Sequence, residues 1–139
     1  MNTTKTFDAK MDRLDDVLSF IRNSALKRDI EEDNISKVIL ASEEAIVNVL
    51  KYAYPDDPGE LTVKCEKLEE QQGFSITLID SGVEFDPTEV EEPDVDIPIE
   101  DRDVGGLGIF MINNIMDEME YKRENGQNIL TLKKFNLKE

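Results

Sequence analysis

Residues 61–80 read LTVKCEKLEEQQGFSITLID. Leu61, Val63 and Cys65 alternate with Thr62, Lys64 and Glu66, and Phe74, Ile76 and Leu78 alternate with Ser75, Thr77 and Ile79. A period of two puts each apolar set on one face of a strand. The EEQQG link reads as a hairpin turn, so the two strands, 61–68 and 74–79, are antiparallel neighbours. The second strand then delivers Asp80 at its end, followed by Ser81 and Gly82.

Upstream of this hairpin the periodicity changes. Met11, Leu14, Val17, Leu18, Ile21 and Ala25 follow helical spacing over about residues 9–28, behind a short strand at 4–8. Asp33 or Asn34 offers an N-cap for a second helix, which buries Ile35, Val38, Ile39, Ala45, Ile46 and Val49 and stops before Pro55. Downstream, a third helix follows the glycines at 105–108 and carries Ile109, Phe110, Ile112, Ile115 and Met116 on one side. A last strand pair, 119–124 and 128–135, turns at Glu124-Asn-Gly-Gln. Grouped helices beside hairpin-linked strands predict an α+β domain. Its form is a two-layer sandwich, with a mixed, mainly antiparallel sheet covered by helices on one face.

The chain has 139 residues, one domain's worth, and 39% of them are hydrophobic. It carries 32 acidic residues against 16 basic ones, a formal net charge of −16. That field repels phosphate backbones and anionic lipid, which argues against direct nucleic-acid or membrane binding. No apolar run approaches a spanning helix and no signal segment is evident, so a cytoplasmic protein is expected. A single cysteine, Cys65, excludes an internal disulfide. With no histidine, the chain hosts neither a Ser-His-Asp triad, nor a His-ligated zinc, nor its own phospho-histidine. Residues 84–103 hold ten carboxylates, one arginine and three of the five prolines. This acidic, proline-broken stretch reads as a loop of lid length.

Three clusters could carry chemistry. Glu44 and Asn48 lie four apart on the second helix and share a face. They read either as a surface glutamate and a water-satisfied asparagine, or as a proton acceptor beside an oxygen ligand for Mg²⁺. Asp80-Ser-Gly82 reads either as a strand-ending turn, or as a carboxylate that accepts from an exocyclic amine beside a backbone open to a flat ring. Gly105-Gly106-Leu107-Gly108 reads either as a hinge and helix start, or as backbone N–H groups converging on phosphate. No Gly-Lys-Ser/Thr follows these glycines, so they form no Walker A loop.

Taken in order, the three clusters resemble the Bergerat-type ATP-binding fold of gyrase, histidine kinases and MutL, and most of all the bacterial anti-sigma factor serine/threonine kinases. The similarity runs from the first helix to Lys134. EEAIVNVLKYAY resembles the family's N box, LIDSGVEFDP its first glycine box and GGLGIFMINNIMDEMEY its second. The resemblance implies that Asn48 ligates a Mg²⁺ on the ATP phosphates and that Glu44 is the catalytic base. It implies that Asp80 binds the adenine amine with Gly82 beside the ring. It further implies that Gly106 and Gly108 approach the phosphates with Gly105 as a hinge, and that Leu107 lies within this phosphate-binding run. Thr131 would complete the adenine site, and an ATP lid would fall at about 84–104. Tyr52 stands where anti-sigma kinases usually have histidine. Asn48-Val-Leu-Lys51-Tyr52 is instead similar to the N box of sensor histidine kinases, which implies phosphate contact for Lys51 and nucleotide contact for Tyr52. The family also implies a homodimer that regulates transcription by holding a sigma factor, with a small STAS-type antagonist as the phosphorylated protein. A nucleotide-dependent binding switch without phosphoryl transfer fits the same residues.

Overall fold

The computed structural model describes residues 2–28, 30–69, 72–89 and 112–135. Strand β1 (Asn2–Asp8) leads through a short 3-10 turn (Met11–Arg13) into α1 (Leu14–Leu26), and α2 (Glu32–Asn48) follows. The chain then makes a π-helical turn over Val49–Ala53 and runs into β2 (Glu60–Leu68) and β3 (Gly73–Asp80). Beyond a 3-10 turn (Pro87–Glu89) and a helical turn at 112–115 come β4 (Glu118–Glu124) and β5 (Gln127–Lys134). The sheet order is β1-β2-β3-β5-β4, with every pair antiparallel. This is the expected two-layer α+β architecture, without a parallel pair among the described strands.

The sequence explains most boundaries. The expected first helix starts later than its periodicity suggests, because Ala9 and Lys10 sit in a bend before the 3-10 turn. Neither Asp33 nor Asn34 caps α2. The cap position is Glu31, which is extended and makes no side-chain cap bond, while Glu32 and Asp33 place negative charge in the first turn. The β4–β5 hairpin turns at Asn125 (φ 53°) and Gly126 (φ 77°). Both central residues have positive φ, the requirement that an Asn-Gly pair meets at little cost. Among the described residues, no helix is long and apolar enough to cross a membrane.

Alternation along the strands builds the core. Leu61, Val63 and Cys65 of β2, and Phe74, Ile76 and Leu78 of β3, face the helices and are buried. They meet Val17, Ile21 and Ala25 of α1, and Ile35, Val38 and Ile46 of α2. Full burial of a side chain such as Ile76 or Leu78 stabilises the fold by about 1.5–3 kcal/mol. The opposite face of the sheet is polar and β-branched. There Thr6 bonds Thr62 (2.9 Å), Thr77 pairs with Thr131 (3.3 Å), and Lys133 bridges Glu120 (3.1 Å) and Glu118 (3.7 Å). The hydrogen bond to Glu120 lifts Lys133 above its ordinary range and draws Glu120 below its own.

Candidate functional site

The end of α2 and the end of β3 converge on one cavity of about 330 Å³. That size falls in the range of small-molecule sites. Its walls are apolar: Ala45, Val49 and Ala53 from the helix side, Leu78 and Leu130 from the sheet. Val83, Phe85 and Pro87 add a third wall from the loop after β3. Polar groups enter at few points: Asn48 and Tyr52 from the helix side, Asp80 from β3, Glu84 from the loop after it, and Tyr121 and Asn128 from the last hairpin. A groove of about 630 Å³ between β1 and α1 is larger, but its arginine is spent on its own carboxylates, Arg13 lying 3.8 Å from Asp8 and 3.4 Å from Asp16.

Local chemistry explains why the helix ends as it does. Pro55 has no N–H and its ring would clash with the carbonyl of Lys51 in a continued helix. The chain therefore widens into the π-helical turn, and Tyr54 departs from helical geometry (φ −125°, ψ 76°). This frees the Ala53 carbonyl, which accepts from the Val83 N–H at 2.9 Å. Tyr54 clamps the same loop. Its hydroxyl donates to the Glu60 carbonyl and accepts from the Ser81 N–H, both at 2.7 Å. Between these bonds sits Gly82, where a Cβ would lie 2.2 Å from the Ala53 carbonyl oxygen. Only glycine allows the loop to lie this close to the helix end.

Asp80 is 5% exposed and lines the cavity. Its Oδ1 accepts from the Gly82 N–H and from the Asn128 side-chain amide, each at 2.9 Å. The sheet register sets Asp80 directly opposite Asn128. Asn128 also donates to the Val83 carbonyl (2.8 Å) and accepts from the Tyr121 hydroxyl (2.6 Å) and Arg123 (3.1 Å). Arg123 donates as well to the Gly82 carbonyl at 2.9 Å. Burial, with Glu84 beside it, pushes the Tyr121 phenol above its ordinary value, so it remains a donor well into the alkaline range.

The structure brings Asn48, Tyr52 and Asp80 together on the cavity, whereas Gly82 lies outside its lining, packed against the Ala53 carbonyl with its N–H on Asp80. Tyr52 stands 45% exposed at the cavity edge. Glu44 lies one turn before Asn48, half-buried and outside the cavity lining. Lys51 is exposed and also outside it. Thr131 does not reach the cavity. Strand alternation turns it to the opposite sheet face against Thr77, where it cannot complete a site shared with Asp80. Gly105, Gly106, Leu107 and Gly108 lie outside the described residues, as does the expected lid beyond residue 89. Asn128 and Tyr121 belong to the site although the motifs did not indicate them. Their signal was parity, since Asn128 is the polar member of the Asn128, Leu130, Leu132 face.

The residues present suit a purine nucleotide. Its apolar walls suit a flat ring, and a buried carboxylate can accept from an amine. Asn48 supplies one oxygen donor. Among the described residues, no group of three or more acidic, cysteine or histidine side chains could hold a metal by itself. A single protein oxygen is the donor set of a Mg²⁺ held mainly by phosphates and water.

A family described as the histidine kinase-like ATPase domain matches residues 7–134. Over 105 residues the chain is 31% identical to serine-protein kinase RsbW of Bacillus cereus strain B4264 and 30% identical to that of Bacillus mycoides strain KBAB4. Those matches cover 73% of this chain and 64% of each relative. Among solved structures, the RsbU and RsbW domains of Rv1364c from Mycobacterium tuberculosis superpose with a TM-score of 0.69 at 17% identity. That match covers 97% of this chain and 32% of the other. The histidine kinase domain of the Erythrobacter litoralis EL346 blue-light activated kinase gives a TM-score of 0.57 at 15% identity, over 89% of this chain and 61% of that one. These two likenesses support the fold. The chain belongs to the histidine kinase-like ATPase domain family, with RsbW-type serine-protein kinases among its relatives.

Proposed function

We propose that this chain is an anti-sigma-factor-type protein serine/threonine kinase, with residues 1–139 as a single ATP-binding domain. The observation that carries the reading is Asp80, a buried carboxylate in the lining of a mainly apolar cavity that Asn48 also lines. Adenine would lie between Leu78, Leu130 and Ala53 with its amine on Asp80. The phosphates would extend past Asn48, and the resemblance assigns Gly105, Gly106, Leu107 and Gly108 to binding them. A Mg²⁺ on Asn48 would neutralise phosphate charge, which matters in a chain of net charge −16. Glu44, one helical turn away, would accept the proton of a Ser or Thr hydroxyl on a small STAS-type antagonist, with positioning and electrostatics supplying most of the acceleration. Its similarity to serine-protein kinases RsbW supports the kinase reading; the reading includes control of sigma factor availability and a cytoplasmic homodimer. The alternative is an ATP/ADP-dependent binding switch on the same residues, without phosphoryl transfer.

The test is transfer of radiolabelled γ-phosphate from Mg·ATP to a cognate antagonist. Glu44→Ala is expected to lower the rate by about 10²-fold or more while ADP affinity stays within about twofold. Full activity in that variant removes Glu44 as the base. No transfer by the native protein, with nucleotide-dependent partner binding intact, selects the switch.

A further inference from the structure

The amide of Asn128 has no capacity left for a ligand. Both Nδ2 hydrogens are used, on Asp80 Oδ1 (2.9 Å) and the Val83 carbonyl (2.8 Å). Its Oδ1 accepts from the Tyr121 hydroxyl (2.6 Å), Arg123 (3.1 Å) and the Phe85 N–H (3.4 Å). Reversing the amide would set two N–H groups against three donors and its oxygen against a carboxylate and a carbonyl. The orientation is therefore fixed by chemistry on both sides. Asp80 receives the consequence. Among the described residues, both hydrogen bonds it accepts fall on Oδ1, leaving Oδ2 for whatever enters the cavity.

We propose that Asn128, locked by Tyr121 and Arg123, is the positioning residue that sets base selectivity: by filling Oδ1 of Asp80 it fixes Oδ2 as a lone acceptor aimed at an exocyclic amine. The inference rests on the nucleotide reading above. A 6-aminopurine donates to that oxygen. A 6-oxopurine presents an acceptor to it, and the buried carboxylate is left unpaired against a like partial charge. Sites built on such a bond discriminate strongly, because the wrong ligand leaves buried polar groups unsatisfied. Arg123 extends the lock. It also holds the Gly82 carbonyl (2.9 Å), which ties the loop over the cavity to β4. The raised phenol of Tyr121 keeps that donor protonated wherever the protein is folded near neutrality.

Binding of ADP and of inosine diphosphate, each with Mg²⁺, tests this by calorimetry on the full chain, with thermal melting of the free variants as the folding control. The native protein is expected to prefer ADP by about 100-fold or more. Asn128→Asp replaces the donor with a second carboxylate. Two carboxylates in contact share a proton, and the neutral acid can donate to a 6-oxo group, so the preference falls below about tenfold. Tyr121→Phe keeps the volume and removes one bond, and it lowers the preference by about threefold or more. Failure of the native protein to bind either nucleotide removes the nucleotide reading and this inference with it. A native preference for ADP that persists unchanged in both variants removes this inference alone. Equal weakening of both nucleotides in the variants makes Asn128 a structural residue and overturns the assignment as well.

Discussion

At Cys65 the thiol has no exposure, and burial pushes it up from 9.0 to about 11 against the opposing pull of a hydrogen bond with Ser24 and the charge of Arg28. A group whose folded pKa is raised contributes stability that is fully present below its unfolded value and is lost as pH rises through the folded one. The contribution is therefore intact below pH 9 and disappears between pH 9 and about 11, worth about 3 kcal/mol. Urea unfolding of the native protein and of Cys65→Ala checks it. The stability difference between them should shrink toward alkaline pH by about that amount, and a difference independent of pH would contradict it. Residues differ in how openly their sequence declares them. Asp80 ends an alternating strand two residues before a glycine, a pattern that makes it legible in the sequence. The resemblance points to Thr131, whereas strand parity decides the face and turns Asn128, directly opposite Asp80, rather than Thr131 toward that carboxylate.

The elements that shape the cavity meet through backbone. The π-helical turn before Pro55 exposes the Ala53 carbonyl, and Val83 binds it across the space that Gly82 leaves open. Gly82→Ala inserts a Cβ 2.2 Å from that oxygen, against backbone that cannot rotate away. Overpacking of this kind costs about 1–3 kcal/mol. The shift should appear in the urea midpoint together with a loss of nucleotide affinity of about tenfold or more. An unchanged midpoint with unchanged affinity would show that the loop does not bind as tightly to the helix end as its hydrogen bonds indicate. Strand and helix periodicities made the five strands and two long helices readable. The π-helical turn was not, because its cause is a conflict between a continuing helical pattern and Pro55, and a pattern alone does not say how the chain resolves it. The bend before α1 is hidden in the sequence for a related reason: Met11 keeps helical spacing although Ala9 and Lys10 do not hold helical geometry.

Over the whole molecule, a net charge of −16 opposes phosphate, yet the ligand proposed for the cavity beside Asp80 is an adenine nucleotide. The two agree if binding depends on burying the base rather than on long-range attraction, with Mg²⁺ offsetting charge at the phosphates. The same field leaves direct nucleic-acid binding disfavoured. A ligand at about 100 times its Kd stabilises the fold it binds by about 2.7 kcal/mol. The direct measurement is thermal unfolding of the native protein and of Asp80→Asn with Mg·ADP raised to millimolar concentration. A midpoint that climbs with Mg·ADP for the native protein, and needs about tenfold more nucleotide for the same rise in Asp80→Asn, is the predicted result. A midpoint indifferent to Mg·ADP, or one that rises equally in both proteins, would contradict the assignment of this cavity to adenine.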